Sequence, residues 1–170
     1  EAIEILREPF DGHYVPAESV LAIGMSKAAP LYHCVPSILN FGRIQRGETV
    51  PYFELSTPGI GRVMEAVDAE RQALCGALGL AAQSFRDFLG AASGASAPDL
   101  VGRISSSYNQ GKPSPSPASP DTRYITEDAP FGLVPWSSLA KQVGVPTPNI
   151  DALIHLANTL YGRDFRAEGR

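Results

Sequence analysis

Two Thr-Pro pairs, Thr57-Pro58 and Thr147-Pro148, constrain this chain most. Threonine is a good helix N-cap, and proline suits the first helical position because its missing N–H would have no partner there. Each pair opens an apolar stripe at helical spacing. Behind the first, Ile60, Val63, Met64, Val67, Leu74 and Leu78 recur, and Gly79 stands where the helix can end. Behind the second come Ile150, Leu153, Ile154, Ala157 and Leu160, closed by Gly162. A long striped helix must be covered, and further helical patterns at 30–42, 84–92, 97–107 and 135–143 can cover it. Strict alternation is confined to short stretches such as VPYFEL, 50–55. The predicted class is mainly α, with short helices packed on one long one.

The 170 residues suffice for one domain with its own core, and 44% hydrophobic with 19% charged residues reads as globular and soluble. A net charge of -4 argues against nucleic acid or an anionic membrane as partner, since both need clustered Lys and Arg. No apolar stretch approaches the ~20 residues that span a bilayer, and no basic start leads into an apolar core. Cys34 and Cys75 make neither a disulfide framework nor a zinc site, so a reduced cytoplasmic setting and no metal are expected. The chain starts on glutamate, and EAIEIL reads as the tail of a strand entered midway. Residues 1–16 are therefore expected to be short extended pieces, and the chain a part of a longer protein. NQGKPSPSPASPD, 109–121, is Pro/Ser-rich and cannot bury enough apolar surface to order itself. It reads as a surface loop, with a lid beside a site as the sharper alternative because Arg123 follows directly.

RYITEDAPFGLVP, 123–135, sets one arginine and two adjacent acids before a proline- and glycine-bearing apolar run. Arg123 can clamp a carboxylate through its planar fork, or pair with Glu127 or Asp128 in the same turn. Either acid can equally cap the helix that follows. His33 lies in APLYHCVPSILNFG, near a helix start at Pro30, where it is either a satisfied core histidine or a proton-transfer group. His13 sits in a turn, and His155 flanks the apolar stripe of the last helix. Gly59-Ile60-Gly61 offers only half a dinucleotide fingerprint: Met64 stands where the third glycine belongs, and the glycines read as helix packing. No P-loop, HExxH, CxxC or GxSxG occurs.

Four segments together resemble the α-helical domain of the octopine/nopaline (opine) dehydrogenase family, over nearly the whole chain. YVPAESVLAIGM is similar to the family's entry segment after its nucleotide domain. LYHCVPSILNFGRI resembles the block in which an asparagine, here Asn40, follows the histidine, here His33, by seven positions. FELSTPGIGRVMEAVDAERQALCGALG resembles the long central helix, with D-x-E-R at Asp68, Glu70 and Arg71. RYITEDAPFGLVPWSSLAKQVGVPTPNIDALIHLAN resembles the final block, where Asp128 follows Arg123 by five. Two positions depart from the pattern: Cys34 stands where the family usually has proline, and an asparagine common before the histidine is replaced within MSKAA.

The resemblance implies the helical substrate domain of a two-domain dehydrogenase, like the C-terminal domain of 6-phosphogluconate dehydrogenase, with the Rossmann domain absent from this chain. Residues 17–170 would form it, with 109–122 as the Pro/Ser-rich loop, and 1–16 would end the link from the nucleotide domain. It implies an oxidoreductase acting on CH-NH groups, inactive without its Rossmann domain, which would hold NAD or NADP. A 2-oxo acid such as pyruvate would be reductively condensed with an amino acid. By resemblance His33 transfers protons, Asp128 orients it, Arg123 holds the oxo acid, and Asn40 and Tyr108 are candidates for the pocket lining. Homodimerisation stays open. Two other readings compete: another 2-hydroxyacid or ketopantoate-type dehydrogenase domain, which more often carries a catalytic lysine, and a non-catalytic helical dimerisation module.

Overall fold

The helix expected behind Thr57-Pro58 runs over Pro58–Ala77 in the computed structural model, which describes residues 2–7, 9, 14, 16–94, 96–108 and 113–169. In chain order the α-helices are α1 Ala2–Arg7, α2 Val20–Ser26, α3 Val35–Leu39, α4 Phe41–Gln45, α5 Pro58–Ala77 and α6 Phe85–Ser93. They continue as α7 Leu100–Tyr108, α8 Arg123–Thr126, α9 Val134–Val143, α10 Pro148–Tyr161 and α11 Phe165–Glu168. Two wider π-turns, Pro30–Cys34 and Ala129–Leu133, and a 3₁₀ turn at Tyr52–Leu55 complete the described elements. The chain is mainly α, as its periodicity requires.

Helix α5 is the hub. It packs against α3, α7, α9, α10 and the first π-turn, and Met64, Val67 and Leu74 on its stripe are fully buried. Each such side chain stabilises the fold by roughly 1.5–3 kcal/mol relative to exposure. Gly61 is buried against α7, where a Cβ would come 2.6 Å from Val101 Cγ2. The glycines at the head of α5 thus serve close packing at Gly61, as the sequence suggests, and Gly79 leaves the helix at φ +69.

The D-x-E-R residues of α5 are structural ties. Asp68 Oδ1 accepts from Arg71 Nε and Nη2 at 2.8 and 2.7 Å. Arg71 also donates to the carbonyls of Met25 and Gln83, and the Phe85 amide donates to Asp68 Oδ2. One buried ion pair therefore closes the ends of α2 and the loop before α6 onto α5. Glu70 accepts from the Asn149 and Ile150 amides at 2.8 and 3.0 Å, the first free donors of α10. Thr147 marks the start of α10 as expected, but its side chain makes no capping bond; Glu70 takes that place.

Three local expectations change. Residues 2–7 are helical rather than extended. EAIEILR consists of helix-compatible residues, and a helix satisfies its own backbone where no partner strand is at hand. VPYFEL forms no strand: Pro51 makes a single bridge to Pro115, and the 3₁₀ turn follows. The span 30–42 is broken into a π-turn and two short helices because Pro36 removes a donor.

The described part of the Pro/Ser segment, from 113 onward, is anchored. The Tyr52 amide donates to Ser114 O at 2.8 Å and the Ser116 amide to Val50 O at 2.7 Å, with Ser116 buried. Tyr161 Oη donates to Pro120 O at 2.8 Å. Backbone pairing orders this stretch where apolar burial could not. Residues 109–112 of that segment, and His13, lie outside the described residues.

Candidate active site

Two proline-flanked turns meet to build the site. The first, PLYHC, begins at Pro30, and Pro36 stands in the first turn of the helix behind it. Pro36 has no N–H for the carbonyl of Tyr32, four residues back. Tyr52 Oη fills the gap, lying 2.9 Å from Tyr32 O and 3.0 Å from His33 O. The second, APFGL, carries Pro130, and Pro135 is the second residue of the next helix. Missing donors let both turns widen, and such π-bulges recur at functional sites. Gly132 of the second lies against Pro30 of the first so closely that a Cβ there would collide with Pro30 Cγ and come 2.7 Å from its Cβ.

That close approach sets His33 against Asp128. His33 Nδ1 and Asp128 Oδ2 are 2.8 Å apart, and Lys27 Nζ donates to Asp128 Oδ1 at 2.9 Å. The Asp128 side chain is 8% exposed, that of His33 20% and that of Lys27 48%. Burial pushes the Asp128 carboxyl up, but the hydrogen bonds from His33 and Lys27 and their charges outweigh it, so it is held below its ordinary value. An ionised Asp128 makes Nδ1 the protonated nitrogen, which leaves Nε2 to give or take a proton. Tyr124 stacks on the imidazole at 4.0 Å and 14°. Cys34, fully buried, donates to Tyr124 O at 3.3 Å, and burial drives its thiol well up.

His33 faces a cleft of about 380 Å³ that it lines with Tyr32, Tyr52, Phe53, Tyr108 and Tyr124, and with Ser107, Pro113 and Ser114 at its edge. Tyr108 stacks on Tyr32 at 4.6 Å. Burial raises the phenols of Tyr32, Tyr52 and Tyr108, so these stay protonated hydrogen-bonding groups. The first described residues of the Pro/Ser segment, Pro113 and Ser114, thus border the cleft.

Of the remaining candidates, Arg123, Glu127, Asn40 and His155 are not among the residues that line this cleft. Arg123 opens α8 with an exposed side chain, one residue before Tyr124, and makes no ion pair with Glu127 or Asp128. Glu127 ends α8 and is exposed. Asp128 stands at the N-cap of the second π-turn but makes no capping bond, its oxygens going to His33 and Lys27. Asn40 sits between α3 and α4, its amide donating to Pro36 O and Leu55 O at 2.8 and 3.0 Å, and it is not among the cleft-lining residues. Its bonds tie the turn that carries Tyr52 to α3. His155 is exposed on α10.

Sequence reasoning missed Lys27, Tyr52 and Tyr124. None belongs to a spaced motif with His33, and only the tertiary contact of the two turns brings them together. Among the described residues no cluster of three or more His, Cys, Asp or Glu could hold a metal, and no helix is long and apolar enough to cross a membrane.

Residues 16–161 match the family described as NAD/NADP octopine/nopaline dehydrogenase, α-helical domain. An opine dehydrogenase of Arthrobacter sp. (strain 1C) is 36% identical over 162 residues, 92% of this chain and 44% of that protein. A tauropine dehydrogenase of Arabella iricolor is 44% identical over 48 residues, 28% of this chain and 12% of the relative. An octopine dehydrogenase of Mizuhopecten yessoensis is 40% identical over 47 residues, again 28% and 12%. The chain spans less than half the length of these curated relatives.

Proposed function

The chain belongs to the octopine/nopaline dehydrogenase family, as its α-helical domain, and from that premise we propose that it binds the substrates and moves the protons of an NAD(P)H-dependent opine dehydrogenase. In the proposed reaction a 2-oxo acid such as pyruvate condenses with the amino group of an amino acid, water leaves, and the imine is reduced to a secondary amine dicarboxylate. The nicotinamide nucleotide supplies the hydride. The Gly59-Ile60-Gly61 motif does not fit a dinucleotide, since Gly61 is filled by Val101 and Gly59 lies inside the first turn of α5. That role is assigned to a further, nucleotide-binding domain, without which this domain is inactive.

The observation that carries the reading is the His33–Asp128 contact at 2.8 Å beside the tyrosine-lined cleft. Condensation needs a base to deprotonate the attacking ammonium and an acid to protonate the departing oxygen. Nε2 of His33 performs both in turn, a contribution of typically 10²–10⁴-fold. Asp128 holds the ring and stabilises the imidazolium. Arg123, exposed at the head of α8, grips the oxo acid's carboxylate in bidentate fashion when the substrates are enclosed. Tyr108, in the cleft wall, contacts substrate, and Asn40 acts through Tyr52's turn.

The test is turnover of the complete enzyme with an oxo acid, an amino acid and NAD(P)H. His33→Gln should lower kcat by at least about 10²-fold with nucleotide binding intact, and Arg123→Lys should raise the oxo-acid KM through loss of the fork. Undiminished kcat in the His33 variant removes His33 from the mechanism.

A further inference from the structure

The roles given to His33, Asp128 and Arg123 leave Lys27 without one, yet it holds the second oxygen of the same carboxylate. Lys27 follows the last residue of α2 with an extended backbone, φ -65 and ψ 115, so the chain leaves the helix there. Six residues later the first π-turn presents His33. One segment therefore supplies both donors that flank Asp128, one to each oxygen. An exposed lysine–carboxylate pair contributes little to stability and no chemistry. This one differs in that its carboxylate is buried, 8% exposed, and already bonded to the imidazole.

We propose that Lys27 is a positioning residue of the proton-transfer unit: its ammonium fixes the Asp128 carboxylate edge-on to His33 and sets the pH at which the imidazole releases its proton. The proposal rests on the assignment of His33 above. The physical reason has two parts. The bond to Oδ1 stops the carboxylate from rotating, so Oδ2 stays on Nδ1. The positive charge offsets part of the attraction that Asp128 exerts on an imidazolium, so His33 yields its proton more readily than it would beside an unshared aspartate.

The other groups around the imidazole leave Lys27 as the cation best placed to do this. Tyr32 and Cys34 flank His33 in its own turn, Tyr52 comes from the 3₁₀ turn, Tyr124 from α8 and Tyr108 from α7. None of these side chains is a cation, and burial keeps the Tyr32, Tyr52 and Tyr108 phenols and the Cys34 thiol neutral. Arg123 and Glu127, beside Asp128 in the chain, are both exposed and of opposite sign.

The experiment is the pH profile of kcat/KM in the reductive direction, measured on the complete enzyme with Lys27→Met, Lys27→Gln and Lys27→Arg. Loss of the half-exposed charge should move the low-pH limb, which reports the neutral imidazole that takes the first proton, upward by about one pH unit, roughly tenfold in proton concentration, in both neutral variants. Lys27→Arg should keep the limb near its original place. The Gln variant covers the case in which Met impairs folding. An unmoved limb in a folded neutral variant overturns the proposal, as does an equal displacement in Lys27→Arg. His33→Gln is run beside them: if it keeps full turnover, the assignment of His33 fails and Lys27 loses its role with it. If it is inactive while the Lys27 limb stays put, only the role of Lys27 fails.

Discussion

Replacing Gly132 with alanine tests the packing that makes the site. Gly132 lies where the two π-turns touch, and an alanine Cβ there would come 2.7 Å from Pro30 Cβ and closer still to Cγ. Ordinary carbon contacts lie near 3.5–4.0 Å. The proline ring is tied to the backbone and cannot swing aside, so the turns must part by about 1 Å to restore ordinary contact. Overpacking of this kind costs about 1–3 kcal/mol, of which alanine's better helix propensity returns at most about 1. The His33–Asp128 separation starts at 2.8 Å, and a parting of that size breaks the hydrogen bond. A displacement of about 1 Å in a catalytic group can cost 10²-fold in rate. Gly132→Ala should therefore lower the urea midpoint moderately and kcat by about two orders of magnitude. Gly76→Ala is the control: nothing lies within 4 Å of its Cβ, and it sits inside the last turn of α5. It should leave turnover intact and add up to about 1 kcal/mol. A Gly132→Ala enzyme with unchanged stability and turnover would refute the claim that this contact holds the pair together.

Glu70→Ala should destabilise the domain by about 2–4 kcal/mol, since charge-assisted bonds to the Asn149 and Ile150 amides contribute roughly 1.5–3 each before compensation; thermal unfolding of the variant measures it, and Glu70→Gln should recover part. Asp128 is held below its ordinary value in the folded state, so its contribution is complete above the unfolded value near 4 and is lost as pH falls through the lower folded value. Urea unfolding of Asp128→Asn should accordingly show a shallower loss of stability on acidification below about pH 4 than the parent; identical acid profiles would contradict the ionised assignment.

The helical architecture was written in local signals. Thr-Pro starts, glycine stops and stripes of period 3.6 give α5 and α10 their bounds because these are short-range facts of the backbone. EAIEILR misled for the same reason: a short apolar run satisfies either period, and the choice falls to whether a partner strand exists. The Pro/Ser stretch misled because composition records side-chain burial and not the pairing of Tyr52 and Ser116 with its opposite run.

The candidate residues were equally visible in the chain, His33 and Asp128 by their place in two proline-bounded blocks. Their partnership was legible only through the family resemblance and not from spacing, because 95 positions separate them. Whether Asp128 capped its own turn, paired with Arg123 or turned to His33 depended on which donors came within 3 Å, and that is a property of how two turns pack. Glycine at 132 permits the approach, proline at 30 fixes its depth, and Lys27 arrives only because α2 ends where it does. Sequence by itself thus determined the elements and the stock of reactive groups, whose causes act over a few residues. Tertiary structure alone decided which groups share a charge, since that free energy exists only once distant segments exclude water between them.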